Sequence, residues 1–183
     1  DTGLVKAPQR RGHNSISIVH RDSGSVWGYS VPNVFVKTQI GYFCHPIWRG
    51  CLATPTFRRE YRALGICRSF GVNAPEPLSY SEENGVAELI VAEVPEALPL
   101  DEALRAPGAN RRQIVENVAS AIGALHRHHW THGALGNDHI LVQVTSSRVH
   151  LIDLEKARRN RLLVGKDLDR FWRRTGCLEP SER

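Results

Sequence analysis

Long apolar runs are missing from the sequence. Its 183 residues are 41% hydrophobic and 23% charged, which is ordinary for a globular protein. A membrane-spanning helix needs about 20 consecutive apolar residues, whereas the longest apolar stretches, near residues 88–94 and 140–144, have the length of strands. We therefore expect no transmembrane segment, and the chain length suits one compact domain or two small lobes.

Methionine is absent as well, even at position 1. The opening segment "DTGLVKAPQRRG" has no apolar core, so it does not have the pattern of a signal peptide. We expect a cytoplasmic protein, although a sequence without an initiator Met does not show where the natural chain starts.

The cysteines form no metal-binding pattern. None of the four belongs to a Cys-x-x-Cys pair, and no His lies at the spacing of a zinc finger. Such cysteines are typical of reduced thiols in a cytosolic protein. The four residues are Cys44, Cys51, Cys67 and Cys177.

Basic residues outnumber acidic ones, which gives a net charge of +5 and a pI near 9.3. This excess favours an anionic partner: nucleotide phosphate, a phosphorylated glycan, acidic lipid headgroups or nucleic acid. No nucleic-acid recognition motif is present, so we expect no nucleic-acid partner. The densest basic run, "EKARRNRLLVGK", is either a solvated loop and helix face or a polyanion-binding surface that uses Lys156, Arg158, Arg159 and Arg161.

The first half of the chain has the pattern of a sheet with one helix. "NSISIVHRD" and "NVFVK" are predicted strands, the first because apolar and polar residues alternate in it. "TPTFRREYRALGICRSFG" predicts a helix that begins at Thr54 or Thr56 and ends before Gly71. "APEPLSYSEENGVAELIVAEV" predicts a hairpin, because Asn84-Gly85 is a strong turn signal.

The second half begins with "PEALPLDEALRAPGAN", a candidate hinge rich in Pro. A helix over residues 110–129, a hairpin in "HILVQVTSSRVHLID" and a closing helix near residues 166–175 are predicted to follow. The order predicts an α+β fold in two lobes, residues 1–94 and 95–183, with a crevice at the hinge. The buried stripe of the long helix is expected to consist of Ile114, Val118, Ile122 and Leu125.

Two residues of the first half follow the order that a nucleotide-binding clamp requires. Phosphoryl transfer needs a Lys on the nucleotide phosphates and a Glu that holds this Lys. Lys37 ends the strand "NVFVK", and Glu60 lies in the helix that follows. Each residue taken alone is typical of a solvated surface, so it is their combination that predicts an ion pair.

Two residues of the second half are predicted to form a metal site. Asp153 ends the apolar strand "VHLID", and His139 stands at the start of the preceding strand. A tight turn at Ser146-Ser147 would bring His139 and Asp153 to the same end of the hairpin. Both side chains can bind a divalent ion, although Mg²⁺ prefers oxygen. The alternative is that Asp153 only caps the next turn.

These segments together resemble the bacterial lipopolysaccharide kinase family, which contains the Kdo and core-heptose kinases. The resemblance rests on "VFVK", "FRREYRAL", "LIVAEV", "HGALGNDHILV" and "LIDLEKARR" and covers nearly the whole chain. The last two segments are most similar to the InaA branch. The resemblance implies a protein-kinase-like two-lobed fold with a shortened C-terminal lobe, since about 30 residues follow Asp153.

The resemblance also implies ATP and Mg²⁺ as cofactors and a role for several residues. Lys37 would contact the phosphates, Glu60 would orient Lys37, and Asp153 would bind the metal. His139 would take the place that Asn holds in protein kinases, and His132 would be the structural His of the loop.

Further nucleotide-binding candidates lie in the first half. Glu93 falls within "LIVAEV". Gly12, Asn14 and Ser15 lie where the family would have a phosphate-binding loop. Backbone amides there could cover a nucleotide, and a plain turn is the alternative interpretation.

One position departs from the family pattern. Where the pattern has His-x-Asp, this chain has His132-Gly133-Ala134. The Asp accepts the proton of the acceptor hydroxyl, and losing a general base costs about 10²–10⁴-fold in rate. Asp138 and Glu155 are the candidate substitutes, Glu155 because it lies two residues after the predicted metal ligand and would point the same way in an extended backbone.

The sequence therefore predicts an ATP- and Mg²⁺-dependent phosphotransferase for a lipopolysaccharide core sugar or another anionic glycan, at the cytoplasmic face of the inner membrane. Ala134 leaves three interpretations open: a nucleotide-binding pseudokinase or adaptor, a slow kinase that uses another base, or an engineered change. A basic module that binds polyanions or a membrane surface is a further alternative.

Overall fold

The computed structural model describes residues 13–19, 33–41, 43–44, 54–176 and 178. Backbone contacts divide the chain into two compact units, Asp1–Arg62 with Glu76–Glu93 and Ala63–Pro75 with Val94–Arg183. The predicted boundary lay between residues 94 and 95, whereas this division assigns Val94 and the segment Ala63–Pro75 to the second unit. No described helix combines the length and the apolar character of a membrane span.

A four-stranded antiparallel sheet forms the first unit. Buried and half-buried side chains alternate most clearly in strand β6 (Val86–Ala92), where Ala87, Leu89 and Val91 are buried and the residues between them are half-buried. The strands, in chain order, are β1 (His13–Val19), β2 (Val34–Ile40), β5 (Pro77–Glu83) and β6 (Val86–Ala92), and their spatial order is β1-β2-β6-β5. A short ladder pairs β3 (Phe43–Cys44) with β4 (Thr54–Pro55).

The hairpin predicted between β5 and β6 is confirmed. Asn84 has φ 51° and Gly85 has φ 78°, and two successive residues with positive φ are what a two-residue hairpin turn requires. Asn and Gly tolerate this conformation better than other residues. The turn sets the register in which Glu83 pairs with Val86.

The predicted helix of the first half is α1 (Thr56–Ser69), and a strand side chain satisfies its first turn. Gln39 is 1% exposed, and its Oε1 accepts from the backbone N–H of Thr56 at 3.1 Å. Its Nε2 donates to Thr56 Oγ1 at 2.8 Å. A buried amide therefore takes over part of the capping that the sequence predicted for Thr54 or Thr56 alone.

The second unit is built around the long helix α3 (Arg111–Arg127), close to the predicted bounds. Asn110 caps it by accepting from Gln113 N–H at 3.1 Å. The predicted hairpin is present as β9 (Ile140–Gln143) and β10 (Arg148–Leu151). The predicted stripe of α3 is confirmed, since the buried residues of the helix are Ile114, Val118, Ile122 and Leu125.

The candidate hinge contains regular structure that its Pro content concealed. Strand β7 (Ala97–Pro99) pairs with β9, so that the sheet order is β10-β9-β7. The one-turn helix α2 (Leu100–Ala103) follows at once and buries Leu100 and Ala103. Pro99 is tolerated because it ends an edge strand and precedes a helix.

The second unit also contains a pair of short strands and a final helix. Strand β8 (Trp130–Thr131) pairs with β11 (Arg158–Arg159), and α4 (Val164–Arg174) corresponds to the predicted closing helix. Phe171 of α4 is 1% exposed and belongs to the core. Residues 132–139 form the loop that directly follows β8.

Candidate functional site

Lys37 and Glu60 form the ion pair that their sequence order predicts. Lys37 Nζ lies 2.6 Å from Glu60 Oε1, and the two side chains are 13% and 2% exposed. The ammonium also lies 5.9 Å from the centre of the Phe57 ring, within the range of a cation–π contact. A Lys held in one place by a buried carboxylate is suited to binding an anion such as a phosphate.

The first unit places this pair by a double contact between β2 and α1. Lys37 and Gln39 are two residues apart on the strand, and Thr56 and Glu60 are four residues apart on the helix, so each pair shares one face. Lys37 contacts Glu60 and Gln39 contacts Thr56. The neutral contact sets the axial position of α1 on β2, and that position brings the Glu60 carboxylate to the ammonium.

His139 and Asp153 are also brought together. His139 Nε2 lies 3.2 Å from Asp153 Oδ2, and His139 Nδ1 lies 2.7 Å from the carbonyl oxygen of Ala134. Because a carbonyl only accepts hydrogen bonds, Nδ1 carries the hydrogen, and Nε2 is the atom that faces the carboxylate. The hydrogen bond to Asp153 raises the pKa of His139 despite partial burial.

The backbone at Asp153 corrects one prediction about Glu155. Asp153 has φ 58° and ψ 54°, in the left-handed region, and residues Leu154–Lys156 form a 3-10 turn. The chain is therefore not extended here, and the argument that Glu155 points the same way as Asp153 was wrong. Glu155 instead lies 3.7 Å from Lys156 Nζ.

Ala134 and Asp138 occupy different environments. Ala134 is 5% exposed, and its carbonyl accepts from His139 Nδ1 and, at 3.3 Å, from Arg174 Nη1. The side chain of Asp138 is 72% exposed, and its Oδ1 lies 3.5 Å from His139 Nδ1. Neither residue supplies a buried carboxylate at the loop, so the role of Asp138 as a base stays a prediction.

Asp167 of α4 binds the backbone of the loop at residues 132 and 133, and sequence reasoning missed it. Its Oδ2 accepts from the backbone N–H of His132 at 2.8 Å, and its Oδ1 accepts from that of Gly133 at 2.9 Å. His126 Nε2 lies 3.1 Å from Oδ2. Burial pushes the pKa of this carboxyl upward, but these hydrogen bonds outweigh burial and leave the pKa below its usual range.

Two other contacts fix the backbone of the loop. Arg170 Nη1 of α4 donates to the carbonyl oxygen of Gly133 at 2.5 Å. Gly133 has φ +80°, and a Cβ added to it would lie 2.6 Å from the carbonyl oxygen of Lys156. Glycine is therefore required both by the backbone conformation and by the close approach of the next segment.

The resemblance implied a structural role for His132 in the loop, which stays a prediction; the contacts of its ring lie within the protein. It is fully buried, and its ring lies 2.8 Å, through Nε2, from the carbonyl oxygen of Ile152. Burial lowers the pKa of His132 to about 4, so the ring is neutral and Nε2 donates. Its centre lies 5.6 Å from that of the His139 ring. His132 thus links the residue before Asp153 to the loop rather than facing a substrate.

The remaining nucleotide-binding candidates are only partly described. Glu93 Oε2 accepts from Asn33 Nδ2 at 2.6 Å, so its carboxylate is engaged within the first unit. Asn14 and Ser15 lie in β1, opposite Gln39 and Thr38, so they belong to a strand and not to a turn or phosphate loop. Gly12 lies outside the described residues.

In the described ranges, no group of three or more His, Cys, Asp or Glu side chains has the arrangement of a metal centre. His139 and Asp153 are therefore a pair of candidate ligands, one nitrogen and one oxygen. A pair is compatible with Mg²⁺, which keeps several waters and shares phosphate oxygens with its substrate. The chemistry of the donors favours Asp153 as the stronger contact.

A comparison with known families identifies the chain. The profile of the lipopolysaccharide kinase (Kdo/WaaP) family matches residues 4–179. The chain belongs to this family. The resemblance drawn from the sequence is thereby confirmed, while its assignment to the InaA branch stays a prediction. No curated protein was found to be similar in sequence.

The fold of this lipopolysaccharide kinase family member is also found among solved structures. The PK-1 kinase of Cydia pomonella granulovirus superposes with a TM-score of 0.54 at 14% sequence identity. The match covers 86% of this chain and 52% of the viral kinase, so the chain spans about half the length of that protein. At this identity the likeness concerns the fold, which is protein-kinase-like and α+β, as predicted.

We expect Gln39→Leu to destabilise this kinase-family chain by about 1–3 kcal/mol, because it leaves the buried N–H and hydroxyl of Thr56 without their partner. Urea unfolding followed by circular dichroism measures the change. Gln113→Leu, the same substitution at an exposed position of α3, is the matched control and should cost less. Equal losses in both variants would contradict the capping role of Gln39.

Asp167→Asn should destabilise the protein by about 2–4 kcal/mol, because an amide cannot accept from both loop N–H groups and leaves one of them unpaired. A carboxyl whose pKa is lowered on folding stabilises the native state above its unfolded pKa, and this contribution is lost as pH falls through the native pKa. The unfolding free energy of the unmodified protein should therefore decrease as the pH is lowered below about 4. In the variant, the dependence of unfolding free energy on pH in this range should be smaller. Urea unfolding at several pH values tests this, with exposed Asp169→Asn as the control; identical slopes would exclude the role of Asp167.

Proposed function

We propose that this member of the lipopolysaccharide kinase family is an ATP- and Mg²⁺-dependent phosphotransferase that acts on a hydroxyl of a lipopolysaccharide core sugar. The ion pair between half-buried Lys37 and buried Glu60 carries the proposal. A surface lysine gains little from one carboxylate, whereas an ammonium fixed by a buried carboxylate is ready to bind a phosphate. The basic charge of the chain, +5, agrees with nucleotide and glycan partners that are anionic.

In this proposal each cluster has one task. Lys37 contacts the nucleotide phosphates, and Glu60 keeps its ammonium in place. His139 and Asp153 would hold Mg²⁺, which neutralises charge on the phosphates when it is bound. Donation of Nδ1–H to the Ala134 carbonyl orients the His139 ring and keeps Nε2 directed at Asp153. We place the activity on the cytoplasmic side of the membrane, where ATP is available.

The second candidate is a pseudokinase or adaptor that binds nucleotide without turnover. Ala134 favours it, because a methyl group can neither accept the proton of the acceptor hydroxyl nor orient that hydroxyl. The backbone contacts of the loop do not use the side chain at this position. Binding and catalysis should therefore be separable in this chain, and the two candidates differ in turnover alone.

Asp153→Asn should reduce the Mg²⁺-dependent part of nucleotide affinity by about tenfold or more, because an amide oxygen carries no charge for the metal. Titration calorimetry with a non-hydrolysable ATP analogue, with and without Mg²⁺, measures this part directly. Asp138→Asn is the control, since it removes an exposed carboxylate that also lies near His139. An unchanged Mg²⁺ effect in Asp153→Asn would show that Asp153 is not a metal ligand.

Ala134→Asp should raise turnover by about 10²-fold or more and leave nucleotide affinity nearly unchanged, because it restores a base and touches no phosphate contact. ADP release with core oligosaccharide as acceptor measures the gain. Ala134→Asn is the matched control, since Asn has nearly the same size as Asp and cannot act as a base. If the two variants have the same rate while nucleotide still binds, the adaptor function replaces the phosphotransferase.

A further inference from the structure

One stretch of the second unit exposes cations without interspersed acids. We call it the basic surface and define it as the exposed side chains between residues 156 and 166. No Asp or Glu occurs in this segment. The members of the basic surface are Lys156, Arg158, Arg159, Arg161, Leu162 and Lys166, all of which are exposed.

The cations of the basic surface have almost no acidic partners. Lys156 lies 3.7 Å from Glu155, a distance at the outer limit of an ion pair. Among the described residues, no carboxylate is paired with the other four cations. Positive charge that is not neutralised within the protein attracts an anionic partner, and the attraction adds up when several such charges share one surface.

Leu162 is the unusual member of this surface. It is 87% exposed, whereas the other exposed large hydrophobic residues of the described chain range from 40% to 49%. A single exposed Leu in a loose loop would be ordinary. This Leu, however, lies in a 3-10 turn, Arg161–Leu163, and its own backbone N–H is capped by the side chain of Asn160.

The turn is tied to the rest of the second unit at its base. Asn160 N–H donates to the carbonyl oxygen of His129 at 2.7 Å, and Asn160 Oδ1 accepts from Leu162 N–H at 3.0 Å. The backbone of Leu162 is thus fixed in a position that directs the side chain into water. The fold therefore keeps an apolar side chain exposed in the same short segment as the exposed cations.

We propose that the basic surface docks on an anionic lipid bilayer, with the cations at the headgroups and Leu162 inserted at the boundary of the acyl chains. Exposed cations close in sequence to an exposed apolar side chain are a combination that suits such an interface. A nucleic acid or a free glycan would use the cations and leave Leu162 in water. The apolar contact therefore selects the bilayer among the possible polyanions.

The basic surface adjoins the loop of the candidate site within the second unit. Strand β11 contains Arg158 and Arg159 and pairs with β8, which ends immediately before His132. The carbonyl oxygen of Lys156 lies against Gly133. Docking would thus hold residues 132–139 close to the lipid surface, where a lipid-linked acceptor presents its sugar. The inference goes beyond the proposed phosphotransfer, because docking needs neither nucleotide nor a base.

Sedimentation with phosphatidylcholine vesicles, with and without phosphatidylglycerol, tests the docking. We expect binding only to the anionic vesicles, with an affinity that falls as salt rises. The double substitution Arg158→Glu with Arg159→Glu should abolish binding, and Leu162→Ser should weaken it about tenfold by removing the apolar contact. The matched controls are Leu78→Ser, at 49% exposure in β5, and Arg112→Glu, whose side chain is 90% exposed on α3; both should bind as the unmodified protein does.

Two outcomes would overturn the proposal. The first is that the unmodified protein does not bind anionic vesicles at low salt. The second is that Leu162→Ser binds the vesicles as tightly as the unmodified protein, while the double Arg substitution abolishes binding to vesicles and to a single-stranded oligonucleotide alike; the surface would then bind polyanions in general. Nucleotide titration of Leu162→Ser separates this test from that of the proposed function, since its affinity for nucleotide should not change.

Discussion

The buried carboxylate of Asp167 is the interaction on which the second unit depends. It is 2% exposed and accepts hydrogen bonds from two successive backbone N–H groups, those of His132 and Gly133. The two amides donate to different oxygens of the carboxylate. An Asn side chain has only one acceptor oxygen, so in this geometry it would leave one of the two amides unpaired. Helix α4 and the loop are thereby joined by charge-assisted hydrogen bonds, and the loop directs His139 toward Asp153 from a fixed starting point.

In the first unit, a neutral hydrogen-bonded contact lies beside the ion pair between α1 and β2. A buried Lys–Glu pair on its own contributes little net stability, since desolvation of the two charges opposes their attraction. The adjacent Gln39–Thr56 contact involves no net charge and is fully buried. It can position α1 on β2 at a smaller desolvation cost, and this position keeps the ammonium of Lys37 beside the Glu60 carboxylate.

Local patterns in the sequence predicted most of the fold, and long-range polar contacts account for what they missed. The hairpin at Asn84-Gly85 and the buried stripe of α3 follow from turn chemistry and periodicity within a few residues. Helix α2 and strand β7 were concealed by Pro99, because a proline at a strand end is locally indistinguishable from one in a linker. Asp167 resembles an ordinary first-turn acid of a helix, and only the folded chain shows that its partners lie 34 and 35 residues away.

The same contacts explain how the chain keeps the shape of a kinase loop with Ala at the position of the base. His132 is fixed by Ile152 and Asp167, and Gly133 by Asp167 and Arg170. Position 134 contributes its carbonyl oxygen to His139 and Arg174, and every residue type has that oxygen. The hydrogen bonds that hold the loop therefore do not depend on the side chain at 134, so they are the same whether or not a base stands there. The guanidinium of Arg174 donates to the carbonyl oxygen of Ala134, so a positive charge lies near this position, and a nearby positive charge favours the ionised form of a carboxylate.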